Sequence, residues 1–231
     1  MQLMDELNAK IISFATEDWG DIPNGHTPPT PEELTFGNTG KRIDACVLYA
    51  DLHRSTEMVD TLSDTLAASY YKAFLHCCAR IIKSNDGTIQ AYDGDRVMSI
   101  YVGEGKETNA VISALKIFHA VKKIDQYFKI LAPTDWGLKH TVGIDTGTVL
   151  AAKTGVRVDS DLVWVGPAAN YAAKLNSFTG LDNAFPTRIT KAVYDRLPGH
   201  LLQHNRSDIW SGPYDNVGKH HYRSNFEFII A

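Results

Sequence analysis

The chain has only three cysteines among its 231 residues, no excess of positive charge and no long apolar run. Each absence excludes something. Cys77 and Cys78 are neighbours and Cys46 lies in an apolar stretch, so the three lay out no disulfide framework and read as buried thiols. The longest apolar runs, such as Ala45 to Ala50, are strand-sized, whereas a membrane helix needs roughly 18 such residues. A net charge of -4 with 22% charged residues speaks against bulk attraction to nucleic acid or to an anionic membrane. Residues 1–20 carry Asp5, Glu6, Glu17 and Asp18, not the basic-then-apolar build of a signal peptide. The expectation is a cytoplasmic protein that binds neither nucleic acid nor membrane. No internal repeat is visible.

What is present is an ordinary globular composition, 44% hydrophobic, sufficient for one domain with a sizeable core. Leu3, Leu7, Ile11, Ile12 and Phe14 recur at mostly helical spacing and predict an amphipathic helix packed first on the main body, otherwise on a partner chain. Ile22-Pro23-Asn24-Gly25 and Pro28-Pro29-Thr30-Pro31 mark a linker or surface loop. Residues 1–40 are thus a helix and linker, and residues 41–231 the main domain. There, Ile43 to Ala50 reads as a strand, Ser55 to Ser84 as one long helix, and Gly87 to Tyr92 with Arg96 to Val102 as a hairpin. Glu107 to Ile130 is helical, Lys139 to Ile144 and Gly147 to Ala152 are strands, and Gly166 to Phe178 is a helix. This order predicts an α+β fold, a ferredoxin-like sandwich with a central antiparallel sheet and helices on one face.

Three stretches carry chemistry. In Tyr49-Ala50-Asp51-Leu52-His53-Arg54-Ser55-Thr56 an aspartate ends an apolar strand and Ser/Thr caps open a helix, whose free amides favour phosphate. In Tyr92-Asp93-Gly94-Asp95-Arg96 a second aspartate sits at a hairpin tip, with Asp93 in a turn role. Asp51 and Asp95 can meet across neighbouring strands, and two close carboxylates repel unless a cation lies between them. Hard oxygen ligands select Mg²⁺ or Mn²⁺. In Gly166-Pro167-Ala168-Ala169-Asn170-Tyr171-Ala172-Ala173-Lys174-Leu175, Asn170 and Lys174 share one helix face, and small alanines on the other permit close backbone approach.

With Val142-Gly143-Ile144-Asp145-Thr146-Gly147, these stretches resemble the catalytic domain of class III nucleotidyl cyclases, in order and spacing, from about Ile43 to Asp195. The resemblance implies a head-to-tail homodimer with two interfacial sites. Asp51, Asp95 and the Leu52 carbonyl of one copy would hold two Mg²⁺ or Mn²⁺ ions. Asn170 of the other copy would orient the ribose of a nucleoside triphosphate, and Lys174 would neutralise phosphate charge. The family usually has arginine at Lys174, and Gly and Phe where this chain has Arg54 and Ser55, so Arg54 is a candidate added phosphate contact. Gly218-Lys219 resembles a family segment whose lysine contacts the triphosphate.

Purine cyclases of the family read the base with a lysine or glutamate and a second polar residue, at positions that here are Ala91 and Val163. Neither can read a purine edge. Tyr49 shares the strand face of Asp51 and would line the base pocket. In these features the chain is similar to the bacterial pyrimidine cyclases of antiphage signalling, whose cyclic nucleotide activates a separate effector protein. UTP is the expected substrate, with CTP second and ATP third; donors at Tyr49, Gln90 and Arg96 suit the two uracil carbonyls. A cyclase-like module that has lost activity and an RNA-binding ferredoxin-like domain are the rival readings. Gly37-Asn38-Thr39-Gly40-Lys41-Arg42 is too short for a phosphate loop. His200, His204, His220 and His221 lack a ligand set for zinc and are expected at the surface.

Overall fold

The structure, a computed structural model, describes residues 3–132, 134–177, 184–215 and 218–230. A helix, α1 (Leu3–Thr16), and a short strand, β1 (Asn24–Gly25), precede the body. The body runs β2 (Gly40–Leu52), α2 (Ser55–Thr61), α3 (Asp64–Ser84), β3 (Thr88–Asp93), β4 (Arg96–Val102), α4 (Lys106–Leu131) and β5 (His140–Val156). It continues through β6 (Asp159–Val165), α5 (Pro167–Asn176), β7 (Thr187–Thr190) and α6 (Lys191–Tyr194). The short strands β8 (Gln203–His204), β9 (Ser207–Asp208), β10 (Ser211–Tyr214) and β11 (His221–Ser224) follow. The main sheet has the order β10-β11-β7-β5-β2-β4-β3, with β1 attached to β2 and β6 to β5. Its centre, β5-β2-β4-β3, is antiparallel throughout, which is the ferredoxin-like α+β arrangement the sequence predicts.

β2 is buried on both faces, so it reads as a nearly continuous apolar run. Cys46, Leu48, Ala50 and Leu52 face a core closed by α3 and α4. Ile43, Ala45 and Val47 face a second core with Trp164 and with Ala168, Ala169 and Ala172 of α5. Period two then puts Tyr49 and Asp51 on that second face. α5 therefore lies opposite α3 and α4, and the expectation of helices on one face only is corrected.

Other differences have local causes. The helix expected over Ser55 to Ser84 is two helices, because Ser63 caps a new start by accepting from the Leu66 amide at 3.3 Å. The two strands expected at Lys139–Ile144 and Gly147–Ala152 are one, since β5 stays in register with β2 from His140 to Ala152. β6 was not foreseen; its Leu162 and Trp164 pack inward while Asp159, Asp161, Val163 and Val165 face out. α5 ends at Asn176, and Phe178, the expected helix end, lies outside the described residues. α1 forms, yet none of its residues is buried, so it does not pack on the core as expected. The buried amide of Asn38 holds its end by donating to Phe14 O at 3.0 Å and Glu17 O at 2.7 Å. His221 is buried in β11 instead of lying at the surface, because this strand sits between β10 and β7. All three cysteines are free thiols, Cys46 and Cys78 buried and Cys77 half-buried. Among the described residues no helix is long and apolar enough to cross a membrane.

Candidate active site

Asp51 stands near the end of β2, and Asp95 in the two-residue turn between β3 and β4, where Gly94 takes φ +60°. Because β4 pairs directly with β2 (Ala50 opposite Val97), the two carboxylates come together. Burial pushes the Asp51 carboxyl up to about 6, with contact to Arg96 opposing the rise and the charge of Asp95 adding to it. Arg96 donates to a single oxygen, Asp51 Oδ2, through Nε at 3.0 Å and Nη2 at 2.8 Å. Asp95 Oδ2 is buried without a hydrogen-bond partner. The cation that the sequence argument required is here a guanidinium, one residue past Asp95.

Beside the pair lies a cavity of about 220 Å³ lined by Tyr49, Ala91, Asp93, Arg96 and Met98. Among the described residues its aromatic wall is Tyr49, whose hydroxyl donates to Met98 Sδ at 3.1 Å. A thioether is a weak acceptor, so that donor is easily redirected to a better one. Ala91 contributes only a methyl group.

The loop after Asp51 places Arg54 at the cap position of α2 with φ +62° and no side-chain cap bond. The expected Ser/Thr cap is thus corrected: Ser55 and Thr56 are already inside the helix, since the left-handed turn comes one residue earlier. Arg54 pairs with Glu57 through both Nε and Nη2 and stands 5.8 Å from the Trp136 ring centre. His53 is held below its ordinary pKa by burial and by Lys139, Arg54 and Arg188 nearby. Leu52 ends β2 with its side chain in the core. Tyr71 of α3 was not singled out from sequence; it is within bonding reach of Ser55, and burial together with Asp95 and Asp51 raises its phenol. Its helical spacing with Phe74 and Cys78 hid it among core positions.

α5 carries the second group. It approaches β5 closely because Gly143 has no side chain; a Cβ there would meet Ala172 O at 2.1 Å and Asn176 N at 2.4 Å. Asn170 and Lys174 are on its exposed side. Next to them Lys219 Nζ lies 4.2 Å from the Tyr171 ring centre and bonds Asp145 Oδ2 at 2.7 Å. Asp145 is fully buried and also accepts from the Thr146 amide at 2.8 Å and from the Thr190 hydroxyl. No residue of α5 lines the carboxylate cavity, and neither does Val163, which faces outward on β6. One chain therefore gathers Asp51, Asp95, Tyr49, Ala91 and Arg96, while Asn170, Lys174 and Val163 do not line that cavity.

The donor set fits a hard divalent ion: a half-buried carboxylate and a neighbouring carboxylate oxygen that lacks any donor. Among the described residues no group of three or more His, Cys, Asp or Glu side chains gathers, so a backbone oxygen such as that of Leu52 would have to complete the set.

No protein-family model matches the chain. It is 42% identical over 234 residues to a uridylate cyclase of Xanthomonas perforans, covering 100% of both chains. It is likewise 42% identical over 236 residues to a uridylate cyclase of Burkholderia cepacia, again covering 100% of both. Among solved structures it resembles the adenylyl cyclase CyaB from P. aeruginosa, with a TM-score of 0.68 and 19% identity over 80% of this chain and 95% of that one. At that identity the likeness is one of fold.

Proposed function

The chain belongs to the uridylate cyclases, within the class III nucleotidyl cyclases, and from that premise we propose that it converts UTP to 3′,5′-cyclic UMP and pyrophosphate in a site shared by two copies. The observation that carries this reading is the carboxylate pair beside a cavity walled by Tyr49 and Ala91, with no purine-reading side chain. Tyr49 and Arg96 both present donors there, which suits the two carbonyls of uracil better than the mixed edge of cytosine, adenine or guanine.

Asp51, Asp95 and the Leu52 carbonyl would hold two Mg²⁺ or Mn²⁺ ions. Bound there, such ions acidify the ribose 3′-hydroxyl and offset charge on the departing pyrophosphate. Asn170 of the second copy orients the ribose, and Lys174 meets the phosphate charge, so positioning and electrostatics do most of the catalysis. That no residue of α5 lines the carboxylate cavity within one chain supports a site completed by a second copy. His53, Arg54, Ser55 and Thr56 border the same strand end and take the triphosphate, Arg54 first leaving Glu57. The likeness to antiphage pyrimidine cyclases supports a cytoplasmic second messenger read by a separate effector.

The test is purified protein with Mn²⁺ and equimolar ATP, GTP, CTP and UTP, with products read by mass spectrometry. Cyclic UMP that disappears in Asp51→Ala is the expected result, and cyclic AMP as main product overturns the base assignment. Mixing inactive Asp51→Ala and Asn170→Ala chains should restore about a quarter of the parent activity, since half the dimers then contain one intact site. No recovery would place the whole site in one chain. The defence role is checked by the cyclic UMP content of cells before and after phage infection.

A further inference from the structure

Tyr171 follows Asn170 on α5 and precedes Lys174, yet among the described residues it belongs to neither hydrophobic core. What meets its half-buried ring is charge. Lys219 Nζ lies 4.2 Å from the ring centre and Lys174 Nζ 5.7 Å from it, both within the roughly 6 Å over which an aromatic face attracts a cation. The Tyr171 hydroxyl donates to Gly218 O at 3.4 Å. At Gly218, where φ is +84°, a Cβ would stand 3.4 Å from that hydroxyl and 4.0 Å from Lys174 Nζ, so this segment closes directly over the pair.

Two ammonium groups at one ring repel less when one of them is already paired. Lys219 is, because its Nζ bonds the buried Asp145 carboxylate at 2.7 Å, and it reaches the ring as half of an ion pair. Tyr171 is thereby fastened to the sheet through Lys219 and Gly218. It stands three residues before Lys174, a spacing that makes the two neighbours on the helix surface. A lysine gains more from such a hold than an arginine would, since its four-carbon stem is flexible and it lacks a rigid planar fork.

We propose that Tyr171 is a positioning residue for Lys174, its ring keeping the lysine ammonium on the helix face shared with Asn170. The inference rests on the role given to Lys174 under the proposed function and adds the side chain that orients it. Because charge on the phosphates grows in the transition state, a misplaced ammonium costs turnover more than substrate binding.

The experiment measures kcat and KM of the full chain for cyclic nucleotide formation, with unfolding temperatures as a check on the fold. Tyr171→Leu should lower kcat about tenfold with KM within about twofold of the parent. Tyr171→Phe, which keeps the ring, should recover most of that loss. Lys174→Ala should cost about a hundredfold, and adding Tyr171→Leu to it should cost nothing further, because the two act as one unit. Independently of turnover, the Lys174 Cε resonance in ¹³C-lysine-labelled protein should carry the upfield shift of a nearby ring and lose it in Tyr171→Leu. A Lys174 resonance unmoved by Tyr171→Leu overturns the contact. A kcat loss as large in the Lys174→Ala background as in the parent, or as large for Tyr171→Phe as for Tyr171→Leu, overturns the positioning role and leaves the role of Lys174 standing. Parent-level turnover in Lys174→Ala overturns that role and this inference with it.

Discussion

Asp51 and Asp145 lie on neighbouring strands of one sheet, and each is met by a basic side chain, yet their surroundings differ in kind. Asp145 is fully buried and saturated: Lys219, the Thr190 hydroxyl and the Thr146 amide all donate to it. Asp51 receives both its Arg96 bonds on one oxygen and sits beside Asp95, one oxygen of which is buried with no donor. A satisfied charge fixes the packing around it. An undersatisfied pair of carboxylates costs stability and in return holds affinity for a cation, the usual exchange at a functional site.

The contrast can be broken by neutralising each acid in turn. The largest expected effect is on catalysis: Asp51→Asn and Asp95→Asn should each lower cyclase turnover by about a thousandfold, the scale of losing a principal transition-state contact. Circular dichroism should show the fold retained. Asp145→Asn should act on stability, costing about 2 kcal/mol in urea unfolding because it removes the buried charge on which three donors converge. A mild stability loss there, or unfolding of Asp51→Asn, would invert the assignment of roles. A smaller effect of opposite sign sharpens it: with metal chelated, Asp51→Asn should gain about 1 kcal/mol over the parent, since the charge it removes is unfavourable in the folded chain.

Much of this geometry was legible in the sequence because it follows from short-range rules. Alternation along β2 puts Tyr49 and Asp51 on one face, and a two-residue turn carries Asp95 to the tip of the adjoining hairpin. The alanines of α5 announced a close approach, while Gly143, which makes room for it, stood in the sequence only as part of a motif. What was not legible depends on partners far along the chain. Asp145 reads as a strand-end acid like Asp51 until Thr190 and Lys219, 45 and 74 positions away, are brought to it. Arg96 was visible as a donor, but its grip on Asp51 spans 45 positions and depends on side-chain direction across two strands. The amphipathic pattern of α1 predicted a helix, but packing on the main body does not occur, because a hydrophobic stripe does not say which surface covers it. β6 was missed because its outward face carries aspartates and its inward face only two large apolar groups.

The smallest expected effect separates the two acids by pH. The Asp51 carboxyl lies at about 6 in the folded chain against 3.8 as its ordinary value. Between those values the folded chain holds a proton that the unfolded chain has released, so this group's contribution to stability falls as pH rises through the window. His140 works in the other direction. Burial drives its imidazole down to about 3 from 6.5, so the unfolded chain takes up that proton first and stability falls as pH drops below 6.5. Both chains carry His140, and it cancels when Asp51→Asn is compared with the parent. In chelator, the advantage of the variant should therefore be small near pH 4.5 and reach its full value above about pH 7. Urea midpoints at the two ends measure it. An advantage that does not change with pH would mean that burial of the charge at Asp51 is not what sets it apart from Asp145.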